Sequence, residues 1–330
     1  MKAAWYEQIG EAADVLKVGE QPDPQPAAGE VRVRVHMSAV NPSDTKRRRG
    51  MRGQANQFAR VIPHQDGAGV IDAVGAGVDP ARVGQRVWVY EANLGRPSGT
   101  AAQYTTVPAH KAVPLPDATS FAEGACLGVP AMTAHRCVFA DGPVTGQNVL
   151  VQGGAGAVGY YAVQMARLGG AARVIATVSR DEQAARALEA GAHAVINRRT
   201  EDVAARVQEL CGQPVPLDRI IEVSFGANLK TDVALLRPRG VIAAYASDEV
   251  PEPALPFSSL LQKDLTVRFV LVYAMSEAAH REAAGWISET LAEGRLRHQI
   301  YKEFTLDQIV AAHQATETMS HIGKVLVRID

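Results

Sequence analysis

Apolar and polar positions fall into two textures along the chain. From Met1 to about Pro116 the runs are short, and Val31-Arg32-Val33-Arg34-Val35-His36-Met37 alternates with the period of a half-buried strand. Residues 69–75 and 85–90 predict further short strands around the turn-rich segment 75–84, and Pro22, Pro24 and Pro26 mark an extended loop. This part predicts a small β-barrel. From about Ala118 strands alternate with helices. Strands are predicted at 173–178, 194–196, 218–223 and 240–245, with helices at about 181–190, 201–210 and 228–236, a pattern that calls for a parallel sheet covered on both faces. A strand-like run follows at 265–273, then an amphipathic helix at about 276–293 through Ala279, Ala283, Trp286, Ile287 and Leu291. A helix near 306–318 and a strand at 324–329 close the chain.

The second texture opens on Val149-Leu150-Val151-Gln152-Gly153-Gly154-Ala155-Gly156-Ala157-Val158-Gly159. A helical pattern then runs through Tyr160, Tyr161, Val163, Met165, Ala166 and Leu168. Strand, glycine turn and helix come in the order of a dinucleotide-binding unit. Such glycines let the backbone approach a pyrophosphate, and the helix N-terminus offers N–H groups and a positive dipole end. Gly154, Gly156 and Gly159 carry a G-x-G-x-x-G spacing, while Gly153 leaves the register of its first position open. Glycine-rich turns also join strands to helices for packing alone, so the surroundings decide.

A length of 330 residues leaves room for two domains. A formal net charge of -1 removes any bulk attraction to nucleic acid or anionic lipid. Cys126, Cys137 and Cys211 are scattered and odd in number, which suits a reducing compartment and makes neither a disulfide framework nor a metal cluster. A charge as early as Glu7 leaves no signal-peptide core, and the uncharged stretch 142–166 is too rich in glycines and amides for a membrane span. The expectation is a cytoplasmic protein acting on a small molecule, with no nucleic-acid or membrane partner.

The end of the second strand of the α/β half distinguishes the two nicotinamide cofactors. An acid there binds the ribose 2′-hydroxyl of NAD, whereas a basic or small polar group suits the 2′-phosphate of NADP. Here Val174-Ile175-Ala176-Thr177-Val178 runs into Ser179-Arg180, and Asp181 comes only after the arginine. A guanidinium binds phosphate through charge-assisted, often paired hydrogen bonds. NADPH is therefore expected, with Arg198 as a second candidate for the phosphate and a solvated arginine as the plain alternative.

Several segments carry a family resemblance nearly end to end. They include Ala39-Val40-Asn41-Pro42-Ser43-Asp44, Asp66-Gly67-Ala68-Gly69-Val70-Ile71, Gly84-Gln85-Arg86-Val87, Gly128-Val129-Pro130-Ala131-Met132-Thr133-Ala134, the glycine turn, Ala190-Gly191-Ala192-His193-Ala194-Val195-Ile196-Asn197 and Gly323-Lys324-Val325. In these the chain resembles a zinc-independent medium-chain dehydrogenase/reductase of the quinone oxidoreductase type, the group that includes zeta-crystallin. The resemblance implies an α/β protein: a GroES-like β-barrel catalytic domain from residues 1–122 and 266–330, and a Rossmann doubly wound NADPH-binding domain at 123–265. It also implies a homodimer or homotetramer, with the strand at 266–273 pairing across an edge. Zinc-dependent relatives carry a cysteine at the position of Asn41, a His-Glu pair at Gln65-Asp66 and a cysteine-rich lobe near 90–110. This chain has none of these, and His64 alone does not replace three ligands, so no metal is expected.

By the same resemblance Asn41 faces the nicotinamide and its ribose, and its amide is a donor for a substrate oxygen; without it Asn41-Pro42 reads as a turn. Cofactor contacts are implied for Val129, Thr133, Gly154, Ala155, Gly156, Ala157, Val158, Ser224, Tyr245, Ala246, Ser247, Phe269, Leu271 and Lys324, beside Ser179, Arg180 and Arg198. Lys46 stands where many quinone reductases have tyrosine and opens the run Lys46-Arg47-Arg48-Arg49. The run reads either as a solvated helix face or, through Lys46 or Arg49, as an attraction for an anionic substrate group at the mouth of the site. Without a metal, the acceptor must need little activation. Three readings follow: reduction of a quinone or related carbonyl, reduction of an alkenal or enoyl thioester, and non-catalytic binding of NADPH.

Overall fold

The chain opens with the antiparallel pair β1 (Lys2–Trp5) and β2 (Lys17–Glu20), with α1 (Ala12–Val15) between them. The alternation at 31–37 becomes the centre of β3 (Glu30–Val40), where Val31, Val33 and Val35 are buried and Arg34 is exposed. Helix α2 (Pro42–Arg48) follows, with Asn41 at its N-cap and proline at its first position, where the missing N–H would have had no partner within the helix. Strands β4 (Asp66–Val74), β5 (Arg86–Val89), β6 (Tyr104–Pro108) and β7 (Ala112–Pro114) and helix α3 (Phe121–Ala125) complete this stretch. The computed structural model describes residues 1–51, 58–318 and 320–329.

Helix α4 (Gly128–Phe139) leads into β8 (Asn148–Val151), α5 (Ala157–Leu168), β9 (Arg173–Val178), α6 (Asp181–Glu189), β10 (Ala194–Asn197), α7 (Val203–Cys211), β11 (Leu217–Glu222), α8 (Phe225–Leu235), β12 (Leu236–Ala244), α9 (Phe257–Gln262) and β13 (Thr266–Phe269). The strands form a six-stranded sheet in the order β10-β9-β8-β11-β12-β13, every pair parallel. Strand order reverses between β8 and β11, and the carboxyl ends at such a reversal are where open α/β sheets bind ligands. Leu150, Ile175, Ile220 and Ile242, one from each of four strands, lie in one apolar core with Phe225, Leu229 and Val233 of α8. The expected alternation of strands and helices is borne out.

The chain closes with α10 (Glu277–Ala292), β14 (Ile300–Thr305), α11 (Ile309–Thr318) and β15 (Lys324–Arg328). Strand β15 pairs antiparallel with β3, so the tail joins a seven-stranded sheet of order β14-β15-β3-β4-β5-β7, with β6 on the other part of β3. The polypeptide thus forms two compact units, Met1–Val129 with Ala284–Asp330, and Pro130–Ala283. A domain boundary at 265/266 would separate β12 from β13, which are hydrogen-bonded neighbours from Val241↔Thr266 to Ala244↔Phe269. The strand expected at 265–273 stops at Phe269 and gives way to a 3-10 turn at Val272–Ala274. No helix among the described residues is long and apolar enough to cross a membrane.

Candidate functional site

In the parallel-sheet unit the glycine turn joins β8 to α5. Gly153 takes a left-handed backbone (φ 69°), which closes the turn, and Gly156 is the N-cap of α5. A Cβ on Gly159 would lie 2.2 Å from the Gly153 carbonyl oxygen, so only glycine lets the helix start this close to the turn. Helix α5 begins at Ala157, three residues before its apolar pattern, and leaves the N–H groups of its first turn at the end of the strand. Of the run Gly154, Ala155, Gly156, Ala157 and Val158, Gly154 N and Gly156 N already donate to Thr177 O and Gly153 O, so the part suited to an anion is the first turn of α5, from Ala157 and Val158.

At the end of β9 the neighbouring strand matters. Strand β10 lies beside β9 with Asn197 opposite Val178, so the residues that follow, Arg198 and Ser179, are neighbours too. The Arg198 Nε donates to Ser179 Oγ at 3.0 Å, with the guanidinium exposed. Arg180 is the N-cap of α6, in extended conformation. Ser179, Arg180 and Arg198 are thus gathered at one strand end, a donor set that fits a phosphate. The loops after β11 and β12 are bridged by Ser224↔Ser247; Phe225 N donates to Ala246 O, Gly226 N to Ser247 Oγ and Tyr245 N to Glu222 O. Ser224, Tyr245, Ala246 and Ser247 form one cluster at carboxyl ends. Phe269 packs edge-on against Phe225, and both Phe269 and Leu271 are exposed.

In the other unit, strand register assembles a polar cluster. Val325 lies opposite Val40, which brings Lys324 beside Asn41, and Ala39 lies opposite Asp66. Lys324 Nζ donates to Asn41 Oδ1, Asn41 Nδ2 donates to Asp66 Oδ2 at 2.7 Å, and Lys324 Nζ stands 3.8 Å from Asp66 Oδ2. Val129 N donates to both Asp66 oxygens, at 3.0 and 2.9 Å. Asn41, Asp66 and Lys324 are all buried. Two charged partners therefore fix which end of the Asn41 amide is which, and one Nδ2 hydrogen remains. Burial pushes the Asp66 carboxyl up, against the pull of the Lys324 ammonium and of the Asn41 and Val129 donors. Asp44 Oδ2 accepts from Asn41 N at 2.8 Å, and burial raises that carboxyl to about 7.

Behind Asp66 runs a second buried chain whose proton order follows by elimination. A carbonyl only accepts, so Thr100 Oγ1 donates to Asp66 O (2.6 Å) and accepts from Ser38 Oγ (2.7 Å). Ser38 in turn accepts from His64 Nδ1 (2.8 Å), and His64 Nε2 accepts from His313 Nε2 (3.0 Å). Both rings are neutral: burial lowers His64 to about 3 and His313 well below its usual value. Among the described residues no three His, Cys, Asp or Glu side chains come together to hold a metal ion. The donor set at Asn41, Gln65 and Asp66 does not fit zinc, which takes three or four such ligands.

The basic run is mostly consumed internally. Arg47 donates to Asn93, Arg48 is buried with Glu317 and the Gly10 carbonyl, and Arg49 pairs with Glu11 at 3.1 Å. The expected solvated face is thus wrong for Arg48, while Arg49 is exposed in a surface pair with Glu11. Lys46 is half-buried on α2, and Thr133 is buried on α4. The sequence reading did not connect Lys324 with Asn41 and Asp66. It also missed Asp44 and the acidic pair Glu222 and Asp232; an acid ending the apolar run of β11 was the signal available.

Comparison with known proteins gives a consistent picture. Residues 27–117 match the alcohol dehydrogenase GroES-like domain and residues 157–289 the zinc-binding dehydrogenase domain. The chain is 28% identical over 309 residues to a quinone oxidoreductase of Rattus norvegicus, covering 92% of this chain and 90% of that protein. Among solved structures it is similar to an NAD-dependent alcohol dehydrogenase (TM-score 0.90, 26% identity, covering 100% of both chains). It is likewise similar to a mycobacterial protein complexed with NADPH (TM-score 0.85, 27% identity, covering 99% of this chain and 100% of that one).

Proposed function

This chain belongs to the medium-chain dehydrogenase/reductase family of oxidoreductases, and from that premise we propose that it is an NADPH-dependent reductase of quinones or related conjugated carbonyls, working without a metal. The observation that carries the reading is the end of β9, where Ser179, Arg180 and Arg198 stand beside a phosphate-type glycine turn and no acid takes the ribose position. NADPH, when bound, supplies the hydride. The turn at 153–159 offers N–H groups to its pyrophosphate, and the arginines hold its 2′-phosphate. Val129, Thr133, Ser224, Tyr245, Ala246, Ser247, Phe269 and Leu271 are proposed to line its remaining length.

The Asn41 amide, clamped by Lys324 and Asp66, is the proposed donor to an oxygen of substrate or ribose. An amide whose oxygen accepts from an ammonium is a more polarised N–H donor, which suits an oxygen gaining charge. No group in this cluster is built to deliver a strong Lewis-acid pull, which favours acceptors already conjugated. A quinone is preferred over an enoyl thioester because Arg47 and Arg48 are engaged within the fold and Arg49 is paired with Glu11, which weakens the pull of the basic run on an anionic carrier. We further propose a cytoplasmic protein that self-associates along β13, the edge strand, where Phe269 and, just past its end, Leu271 are exposed. Parallel assays of NADPH oxidation with 1,4-benzoquinone, an alkenal and crotonyl-coenzyme A test the reading. Benzoquinone is expected to be fastest. Nucleotide binding without oxidation by any of the three leaves a non-catalytic NADPH-binding protein.

A further inference from the structure

Across the carboxyl ends of β9, β8 and β11 runs a buried band of hydrogen bonds that the expected cofactor contacts do not include. Gly153 N donates to Thr177 Oγ1 at 3.0 Å, Thr177 Oγ1 donates to Gln152 Oε1 at 2.7 Å, and Gln152 Nε2 reaches Asp232 Oδ1 at 3.4 Å. Asp232, on α8, faces the carboxyl of Glu222, which ends β11. Both acids are fully buried, at 0% exposure. Glu222 is well supplied with donors: Ser224 N reaches Oε1, and Asn228 Nδ2 reaches Oε1 at 3.0 Å and Oε2 at 3.2 Å. Among the described residues Asp232 receives only the long Gln152 N–H, and no N–H reaches its Oδ2.

Two carboxyl groups in contact out of water cannot both be ionised. Donor supply decides which holds the proton: Glu222 is the carboxylate, and Asp232 is the acid whose O–H points at it. We propose that this shared proton positions the glycine turn, so that Asp232 and Glu222 act as a proton-dependent staple between the turn after β8 and the Ser224 loop after β11. Removing the proton to solvent sets two carboxylates face to face, drives α8 from β11 and releases Gln152 and Thr177 from Gly153. The inference rests on the nucleotide reading given above, because that turn is where NADPH is proposed to bind. Burial and mutual repulsion raise the Asp232 carboxyl well above its usual range. The other titratable group facing the pair is Tyr245, beside Glu222, whose phenol burial also pushes well up; Gln152 and Asn228 are neutral.

Linkage makes the consequence quantitative. If deprotonation weakens NADPH binding about tenfold, NADPH binding must raise the pKa of the pair by about one unit. The test follows the Asp232 carboxyl carbon and the Gly153 amide by NMR from about pH 6 to about pH 10, with and without NADPH, alongside NADPH affinity. The expected result is a protonated Asp232 at neutral pH, with the Gly153 amide moving at the same midpoint in the cofactor-free protein. NADPH affinity should then fall about tenfold across that midpoint, which rises when NADPH is bound. Asp232→Asn, whose amide can donate to Glu222 and accept from Gln152, should keep neutral-pH affinity and lose the alkaline decline; Asp232→Ala should weaken binding at every pH. A Gly153 amide that ignores the Asp232 titration, or an Asp232→Asn variant as weak as Asp232→Ala, overturns the staple. Failure to bind NADPH while the Gly153 amide still follows Asp232 overturns the nucleotide reading and supports the staple.

Discussion

Replacing Lys324 with methionine removes the one cation of the Asn41 cluster while keeping the length and apolar stem of the side chain. At 3.8 Å from Asp66, the lost attraction is about 4 kcal/mol at the effective dielectric of about 20 that suits protein sites. A carboxyl left buried and unpaired escapes part of this by taking up a proton. For an acid with an unfolded pKa near 3.9, that costs about 4 kcal/mol at pH 7 and about 1.5 kcal/mol at pH 5. The variant should therefore lose about 3 kcal/mol at pH 7, of the size seen when one partner of a buried pair is removed, and about 1 kcal/mol at pH 5. The sign follows from proton binding. Without Lys324 the folded Asp66 binds its proton more tightly than it does beside the ammonium, so the deficit shrinks as pH falls. Urea unfolding followed by tryptophan fluorescence is the assay, because Trp5, Trp88 and Trp286 all lie in the same unit as the cluster. In a thermal scan the pH 7 loss should appear as a fall of roughly 6–12 °C. An equal deficit at pH 5 and pH 7 would show that Asp66 is not the charge Lys324 compensates.

Three other outcomes follow from the same geometry. Gly159→Ala places a methyl 2.2 Å from the Gly153 carbonyl and should weaken NADPH binding more than about tenfold in calorimetry, with the other unit still folded. Arg198→Ala and Arg180→Ala should each lower NADPH affinity about tenfold, the loss of one charge-assisted contact, while NADH affinity stays within about twofold; equal losses for both nucleotides would remove the arginines from the 2′-phosphate. His64, held neutral with a pKa of about 3, binds its proton less readily folded than unfolded. Its contribution is therefore full above about pH 6.5 and falls by about 1.4 kcal/mol per unit below it. His64→Asn, which tolerates the left-handed backbone there (φ 77°), should flatten the acid limb of the stability curve.

What was legible in the sequence is what local pattern governs. Alternation wrote β3, the apolar runs wrote β8, β9 and β11, and the glycine turn announced itself because backbone approach excludes any other residue at Gly159. The start of helix α2 was hidden because Asn41-Pro42 begins a turn and a helix with the same residues, and packing against α11 helps to decide for the helix. Arg48 read as solvated because nothing local reveals that Glu317, far along the chain, will meet it. The clamp on Asn41 has the same character: Lys324 reaches it through the pairing of β15 with β3, a contact between residues 283 positions apart. The resemblance implies a cofactor contact for Lys324, and the strand register joins its ammonium to Asn41. The acid pair left only the trace of a glutamate ending Ile220-Ile221-Glu222, and its partner Asp232 comes from the helix that follows.

Rapid mixing of the NADPH-loaded protein with 1,4-benzoquinone, followed by loss of the reduced nicotinamide, tests the central claim most directly. Metal-free hydride transfer predicts a fast first turnover, slowed several-fold by deuterium at one face of nicotinamide C4 and not the other. It also predicts that prior treatment with a zinc chelator leaves the rate unchanged and that Asn41→Ala slows it about a hundredfold, the size of effect expected when one oriented donor is lost. Loss of reduced nicotinamide no faster than in protein-free solution, with NADPH demonstrably bound, would contradict the account.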